Sequence, residues 1–206
     1  MVQISIPINP FSKKGPQKYF SFNVQPHSVM LAGSRNLELS QEYCKPIVRE
    51  LHNRGFGFFV GCAFGVDRSF RKVLASEPFK ARTFVACAFP YRTKDKHSFG
   101  LFASVVVPEN IPIPAALARR TIWMARRCQF LVLFPDDPKT GKWGKGSSLA
   151  FKTATLNLKP VFVVSKHCPP FSDFYNIYNS TLFDIVSGYW VVPHTYKLGR
   201  TCEDEA

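Results

Sequence analysis

The chain has no apolar run approaching the roughly 20 residues that cross a bilayer, and its start, MVQISIPINPFSKKG, lacks the pattern of a signal peptide. Neither a membrane nor a secreted protein is expected; a cytoplasmic one is. Acidic residues are scarce, 14 against 27 Lys plus Arg, for a formal charge of +13. That balance points to an anionic partner such as nucleic acid, nucleotide phosphates or an anionic surface. Many small soluble proteins are equally basic without one, so charge sets a direction and names no ligand. No C-x-x-C pair occurs among Cys44, Cys62, Cys87, Cys128, Cys168 and Cys202, so reduced thiols without a metal site are expected. Internal repeats and domain linkers are missing too, and the CAF triplets at 62–64 and 87–89 read as coincidence.

The 206 residues suffice for one sizeable core, and 46% hydrophobic with 20% charged residues is a globular balance. Apolar β-rich runs alternate with helical stretches, the signature of an α/β protein with a parallel sheet covered by helices. Strands are expected at 28–32 (SVMLA), 58–60, 83–89 (TFVACAF), 129–134 (QFLVLF) and 161–165 (VFVVS). Helices are expected at 40–54, from the 61–67 turn to about 75, at 115–127 and at 147–158. In the first of them Tyr43, Ile47, Val48 and Leu51 recur at core spacing. Residues 90–114, with four prolines and mixed charge, read as a long functional loop carrying a short strand at 104–107. A single domain results, with its core at about 28–166 and flanking extensions at 1–27 and 167–206. Within the flanks, 19–24 alternates like an edge strand, 181–192 reads as a further strand or a cap on the sheet, and 203–205 as a frayed acidic tip.

In an open α/β sheet, ligands bind beyond the carboxyl ends of the strands, near the point where the strand order reverses. Backbone N–H groups of glycine-rich turns and helix N-termini favour anions there. Four segments carry suitable residues. Gly33-Ser34-Arg35 ends the first strand with a close-approach glycine, a phosphate-bonding hydroxyl and a guanidinium fork. Gly61-Cys62-Ala63-Phe64-Gly65-Val66-Asp67 forms the next strand-to-helix turn. Its Asp67 has two readings, a helix cap or dipole partner and a contact to a ribose or base. Arg119-Arg120 lies on the helix before the fourth strand, and since adjacent helical residues diverge by about 100°, at most one faces a pocket. Finally, DDPKTGKWGKGSSLAF (136–151) joins Lys139, Lys142 and Lys145 to Gly141, Gly144 and Gly146, then Ser147 and Ser148 open a helix. Trp143 reads either as a base-stacking ring or as an anchor packed on the protein. Neither a G-K-[ST] Walker loop nor G-x-G-x-x-G spacing is present.

Taken in this order, the four pieces resemble the SLOG superfamily, the Rossmann-like nucleotide-binding group that includes DNA processing protein A (DprA/Smf) and the Lonely-guy (LOG) phosphoribohydrolases. The likeness is stronger on the DprA side. There the pattern is a G-S-R strand end, a G-x-A-x-G-[IV]-D turn, an [NR]-R pair and a G-[ST]-x-x-[TA] helix start. Here these stand as Gly33-Ser34-Arg35, Gly61 to Asp67, Arg119-Arg120 and Gly146-Ser147-Ser148-Leu149-Ala150. The resemblance implies a Rossmann-like, doubly wound, mainly parallel sheet of about five core strands plus extra edge strands. It also implies binding of single-stranded DNA or a nucleotide, and assembly into homo-oligomers. LOG enzymes carry a P-G-G-x-G-T-x-x-E loop whose glutamate is implicated in catalysis. This chain has phenylalanine or alanine where that acid would stand, so no general base is evident.

The leading expectation is therefore a non-catalytic binding protein that requires no cofactor, with a bound nucleotide as one form of its ligand. Arg35 and the amides of Gly33, Gly61 and Gly146 to Ser148 would meet phosphates. Lys142, Lys145, Arg92 and Lys94 would extend a positive track, with Trp143 or Tyr91 for stacking. Two alternatives remain open: a LOG-like nucleoside-monophosphate hydrolase using Asp67 or Asp136, and a sensor of a small nucleotide signal.

Overall fold

A computed structural model describes residues 27–194. The strand expected at 19–24, the tip at 203–205 and Cys202 lie outside the described residues. Six strands run parallel: β1 (Ser28–Gly33), β2 (Gly57–Gly61), β3 (Thr83–Cys87), β4 (Phe102–Val105), β5 (Phe130–Phe134) and β6 (Val161–Val163), built from apolar runs buried on both faces except at the edge strand β4, which is half-buried with Phe102 exposed. An antiparallel hairpin, β7 (Tyr175–Leu182) and β8 (Val186–Pro193), adds to them, and the order is β4-β3-β2-β1-β5-β6-β8-β7. The helices are α1 (Gln41–Asn53), α2 (Val66–Leu74), α3 (Asp95–Ser98), α4 (Ile113–Arg127) and α5 (Lys145–Leu156). This is the expected α/β, mainly parallel sheet.

Alternation along the strands divides the core into two layers. Val29 and Leu31 of β1, with Phe58, Val60, Phe130 and Val132, face Ile47, Val48 and Leu51 of α1 and Phe70 of α2. Met30 and Ala32 point the other way, with Leu131 and Leu133, onto Met124 and Ala125 of α4 and Ala150 and Ala154 of α5. Ser40 caps α1 by accepting the Tyr43 N–H at 3.2 Å. Tyr43 itself, expected in the core, stays 39% exposed, and Cys44 takes the buried place beside it.

Several boundaries differ from expectation. The helix expected at 147–158 begins at Lys145, so Gly146, Ser147 and Ser148 lie inside its first turn. The helix expected at 115 starts at Ile113, because Pro112 and Pro114 suit a helix entry where no N–H is needed. Residues 90–114 are less a loop than a chain of short elements: a 3-10 turn at Pro90–Thr93, α3, and β4, which pairs with β3 two residues earlier than the strand expected at 104–107. The segment expected at 181–192 is one arm and the tip of the β7–β8 hairpin, with 175–178 in the other arm. Its tip reaches the end of α1, where the Arg54 guanidinium lies 4.0 Å over the Phe183 ring. The CAF triplets are no coincidence in space: Gly61 and Ala86 are paired across β2 and β3, so Cys62 and Cys87 follow side by side.

Strand order reverses beside β1. From there the chain moves outward through β2, β3 and β4, and α4 then carries it back to β5 on the other side of β1. The turns after β1, β2 and β5 consequently share one rim. They are stitched together: the Ser34 N–H donates to the Phe134 carbonyl at 2.8 Å, and the Val66 N–H to the Ser34 carbonyl at 3.1 Å. Gly65 makes the second of these contacts feasible. Its φ is +63°, and a Cβ there would stand 2.6 Å from the Arg35 carbonyl carbon. Gly65→Ala is expected to lower the unfolding free energy by about 2–4 kcal/mol, from backbone strain plus the clash. Urea denaturation measures this, and a loss below about 0.5 kcal/mol, the range of a neutral surface change, would contradict it.

Candidate functional site

Because α4 and α5 both start at the rim, their first turns diverge over the end of β1 and leave a cavity of about 440 Å³ between them. Met30, Leu117, Ala118, Met124 and Ala150 form its apolar walls. Arg35, Asp67, Arg120, Lys145, Gly146 and Ser147 supply its polar lining, and Gly33 and Ala63 complete the β1 and β2 sides. All four segments singled out in the sequence thus contribute to one cleft.

Beneath the rim lies a buried charged cluster. Arg120, 7% exposed, stands 3.7 Å through Nη2 from Asp67 Oδ2 and donates through Nη1 to the Cys62 Sγ at 3.4 Å. Its Nε is buried and makes no hydrogen bond among the described residues. Asp67 also accepts the Ala63 N–H at 3.4 Å. Burial pushes its carboxyl above the ordinary carboxylate value, against the pull of Arg120 and Arg71. Gly61 is needed here for space: a Cβ on it would run into the Asp67 carboxylate and lie 2.9 Å from Arg120 Cζ. The Cys62 thiol is pulled well below its ordinary value by the Cys87 S–H that it accepts, by the Arg120 charge and by the Ala88 N–H, against the cost of burial. Cys87, the donor, is pushed up.

At the opposite lip, α5 opens without a side-chain cap, Gly144 being its N-cap residue. The first hydrogen bond of the helix runs from the Ser148 N–H to the Gly144 carbonyl at 3.0 Å. The amides of Lys145, Gly146 and Ser147 precede it and point out of the helix end, where the dipole favours negative charge. Ahead of α5, residues 135–144 fold into an ordered small hairpin: the Asp137 N–H donates to the Lys142 carbonyl at 3.0 Å, and Asp136 bridges Trp143. The Asn36 amide donates to Asp137, fastening this hairpin to the turn after β1 and holding the Asp137 carboxyl below its usual value.

The other sequence-selected residues fall outside the cavity lining. Ser34 is buried and accepts the Asn36 N–H at 3.2 Å. Of the arginine pair, Arg120 turns in while Arg119 is exposed. Lys142 and Ser148 are exposed as well. Trp143 takes its anchoring role, edge-on to Phe151 at 5.2 Å. Asp136 accepts from the Ser165 hydroxyl at 2.9 Å and the Lys166 N–H at 3.2 Å. Tyr91 stands half exposed on the 3-10 turn after β3.

One residue escaped the sequence reading altogether. Arg71 of α2 is 2% exposed and donates to the Gly61 carbonyl, to the Ala63 carbonyl at 2.8 Å and to the His97 carbonyl at 3.0 Å. It fixes the turn that carries Ala63 and Asp67. Helical spacing from Phe70 and Leu74 gives no local sign of it, because its partners lie on loops.

The Cys62 thiol carries a pH signature. Because its folded value lies below the ordinary 9.0, the native chain releases this proton at lower pH than the unfolded chain. The resulting stabilisation is present near pH 9 and is progressively lost as pH falls below it. In urea denaturation, the stability margin of wild type over Cys62→Ala is expected to shrink from pH 9 to pH 4. A margin that does not change with pH would mean a neutral thiol.

No protein-family profile matches the chain, and no curated protein does. Among solved structures, it is similar to DNA processing protein A from Helicobacter pylori, known for its single-stranded DNA binding mode, at 19% identity and a TM-score of 0.52. That match covers 69% of this chain and 67% of the other. DNA processing protein A from Streptococcus pneumoniae is similar at 18% identity and a TM-score of 0.52, over 72% of this chain and 51% of that one. The chain thus spans about half of the pneumococcal protein. It shares with both the Rossmann-like fold expected from its four strand-end motifs.

Proposed function

We propose that this chain binds single-stranded DNA without catalysis, seating a strand phosphate in the cleft between α4 and α5. The observation that carries this reading is the Arg120 guanidinium, buried in the cavity lining with an unpaired Nε, opposite the uncapped first turn of α5. A buried donor on a cation calls for an acceptor, and an anionic oxygen is the one that both sides of the cleft favour. Arg35 and Lys145, exposed at the mouth, would meet neighbouring phosphates. A volume of about 440 Å³ is that of a small-ligand site, so it suits one nucleotide of the strand. The fold shared with DNA processing protein A supports the same reading. A free nucleotide would use the same contacts and is the competing ligand in the test.

The test is a fluorescence-anisotropy titration of a labelled oligo-dT over a salt series. Log affinity is expected to fall linearly with log salt, and Arg35→Ala with Lys145→Ala to flatten the slope by about 0.7 for each cation removed. An unchanged slope would sink the proposed contacts. Gly146→Val is a cleaner block, because a Cβ there meets no protein atom while the residue lines the cavity. It is expected to weaken binding at least tenfold while moving unfolding by no more than about 0.5 kcal/mol. Incubation with nucleoside monophosphates is expected to release no free base; turnover abolished by Asp67→Asn would replace this reading with a hydrolase.

A further inference from the structure

From the surface beside the cleft we infer a base-stacking platform built by Phe64, Arg92, Tyr91 and Phe89, taking the unpaired bases of a strand whose phosphate sits between α4 and α5. The inference rests on the proposed phosphate site and adds how the same ligand is told from a duplex or a bare phosphate chain. Phe64 follows Ala63 of the cavity lining and is 50% exposed, as is Tyr91. The Arg92 Cζ lies 4.7 Å from the Phe64 ring centre and 5.2 Å from that of Tyr91. Tyr91 in turn lies parallel to Phe89, with centres 5.6 Å apart and planes at 6°. Three rings and a guanidinium from two separate segments therefore adjoin, Arg92 lying over both Phe64 and Tyr91 and Tyr91 stacking on Phe89.

Two features make this more than a set of exposed rings. First, both segments are fixed by one buried side chain: Arg71 bonds the carbonyls of Gly61 and Ala63 on the Phe64 side and of His97 on the Tyr91 side. His97 meets the Tyr91 ring edge-on at 6.1 Å, so the platform is held before any ligand arrives. Second, the charge is left open. Neither of the two ion pairs among the described residues involves Arg92, and Lys94 and Lys96 stand exposed next to it. The exposed Asp95 is the acid in that stretch. Aromatic faces with cations over them attract the π-face of any base, without sequence choice, while phosphates gain the surrounding charge. In a duplex those base faces are already covered by their neighbours, so the platform selects single strands.

The test compares oligo-dT with an abasic oligonucleotide of equal length, and with a duplex, at fixed salt. Wild type is expected to bind oligo-dT at least tenfold more tightly than the abasic strand or the duplex. Phe64→Ala is expected to lose about tenfold or more on oligo-dT and nothing on the abasic strand. Phe64→Trp is expected to restore affinity, with tryptophan fluorescence quenched by oligo-dT and not by the abasic strand. Equal loss on both strands, or no loss on either, overturns the platform while the cleft reading stands. Wild type that binds neither strand overturns both, and Arg35→Ala, which is expected to weaken both strands alike, separates phosphate contacts from stacking.

Discussion

The Arg71 guanidinium is the contact on which the geometry of this rim depends. The turn after β2 must leave the sheet, pass under the start of α2 and still satisfy its buried carbonyls, for which no strand partner remains. Arg71 reaches back one turn of α2 to bond Gly61 and Ala63, and with its Nε takes the His97 carbonyl from the far side of β3. A cation this deeply buried is tolerated because three carbonyls and the nearby Asp67 charge replace its water. Asp67 is then committed to Arg120, Arg120 to Cys62, and the floor of the cleft follows.

Topology explains why these groups meet. The turns after β1 and β5 leave a central pair of parallel strands toward opposite helical layers, which opens a crevice between α4 and α5 on one face. Its walls come from the α4–α5 layer, and its polar lip from turns that lead into the α1–α2 layer. The cleft therefore straddles the sheet, which is how residues as distant in sequence as Arg35 and Lys145 come to line the same volume.

Much of this was legible in the sequence, for physical reasons that differ by element. Strands β1, β3 and β5 announce themselves because burial on both faces demands unbroken apolar runs, and α1 because Ser40 and its core-facing residues obey helical spacing. The four strand-end motifs were visible through their glycines and arginines, and helical geometry limited the arginine pair to one inward member, but that the member is Arg120 depends on how α4 packs over the sheet. Of the β7–β8 hairpin the sequence showed a further strand at 181–192 as one of two readings but not the turn, whose tip uses Phe183 and Asp184 in left-handed backbone, φ 54° and 60°, where glycine or asparagine would have been the signal. The start of α5 was hidden by Gly144 and Gly146, which look like loop but occupy the N-cap and the first turn, where glycine costs little. Arg71 and the Cys62–Cys87 contact have no local signal at all, since their partners arrive through β2–β3 pairing and through α3.

The bare N-terminus of α5 has a thermodynamic consequence. A helix whose opening amides are left to an outside acceptor is strengthened by whatever anion supplies it, and an unfolded chain offers that anion no equivalent seat. By mass action the folded population then gains RT ln(1 + [L]/Kd), which is about 2.7 kcal/mol at a hundredfold excess over Kd. On the proposed reading, in which a phosphate occupies that seat, the melting temperature of this chain would be a reading of its solution as much as of its sequence.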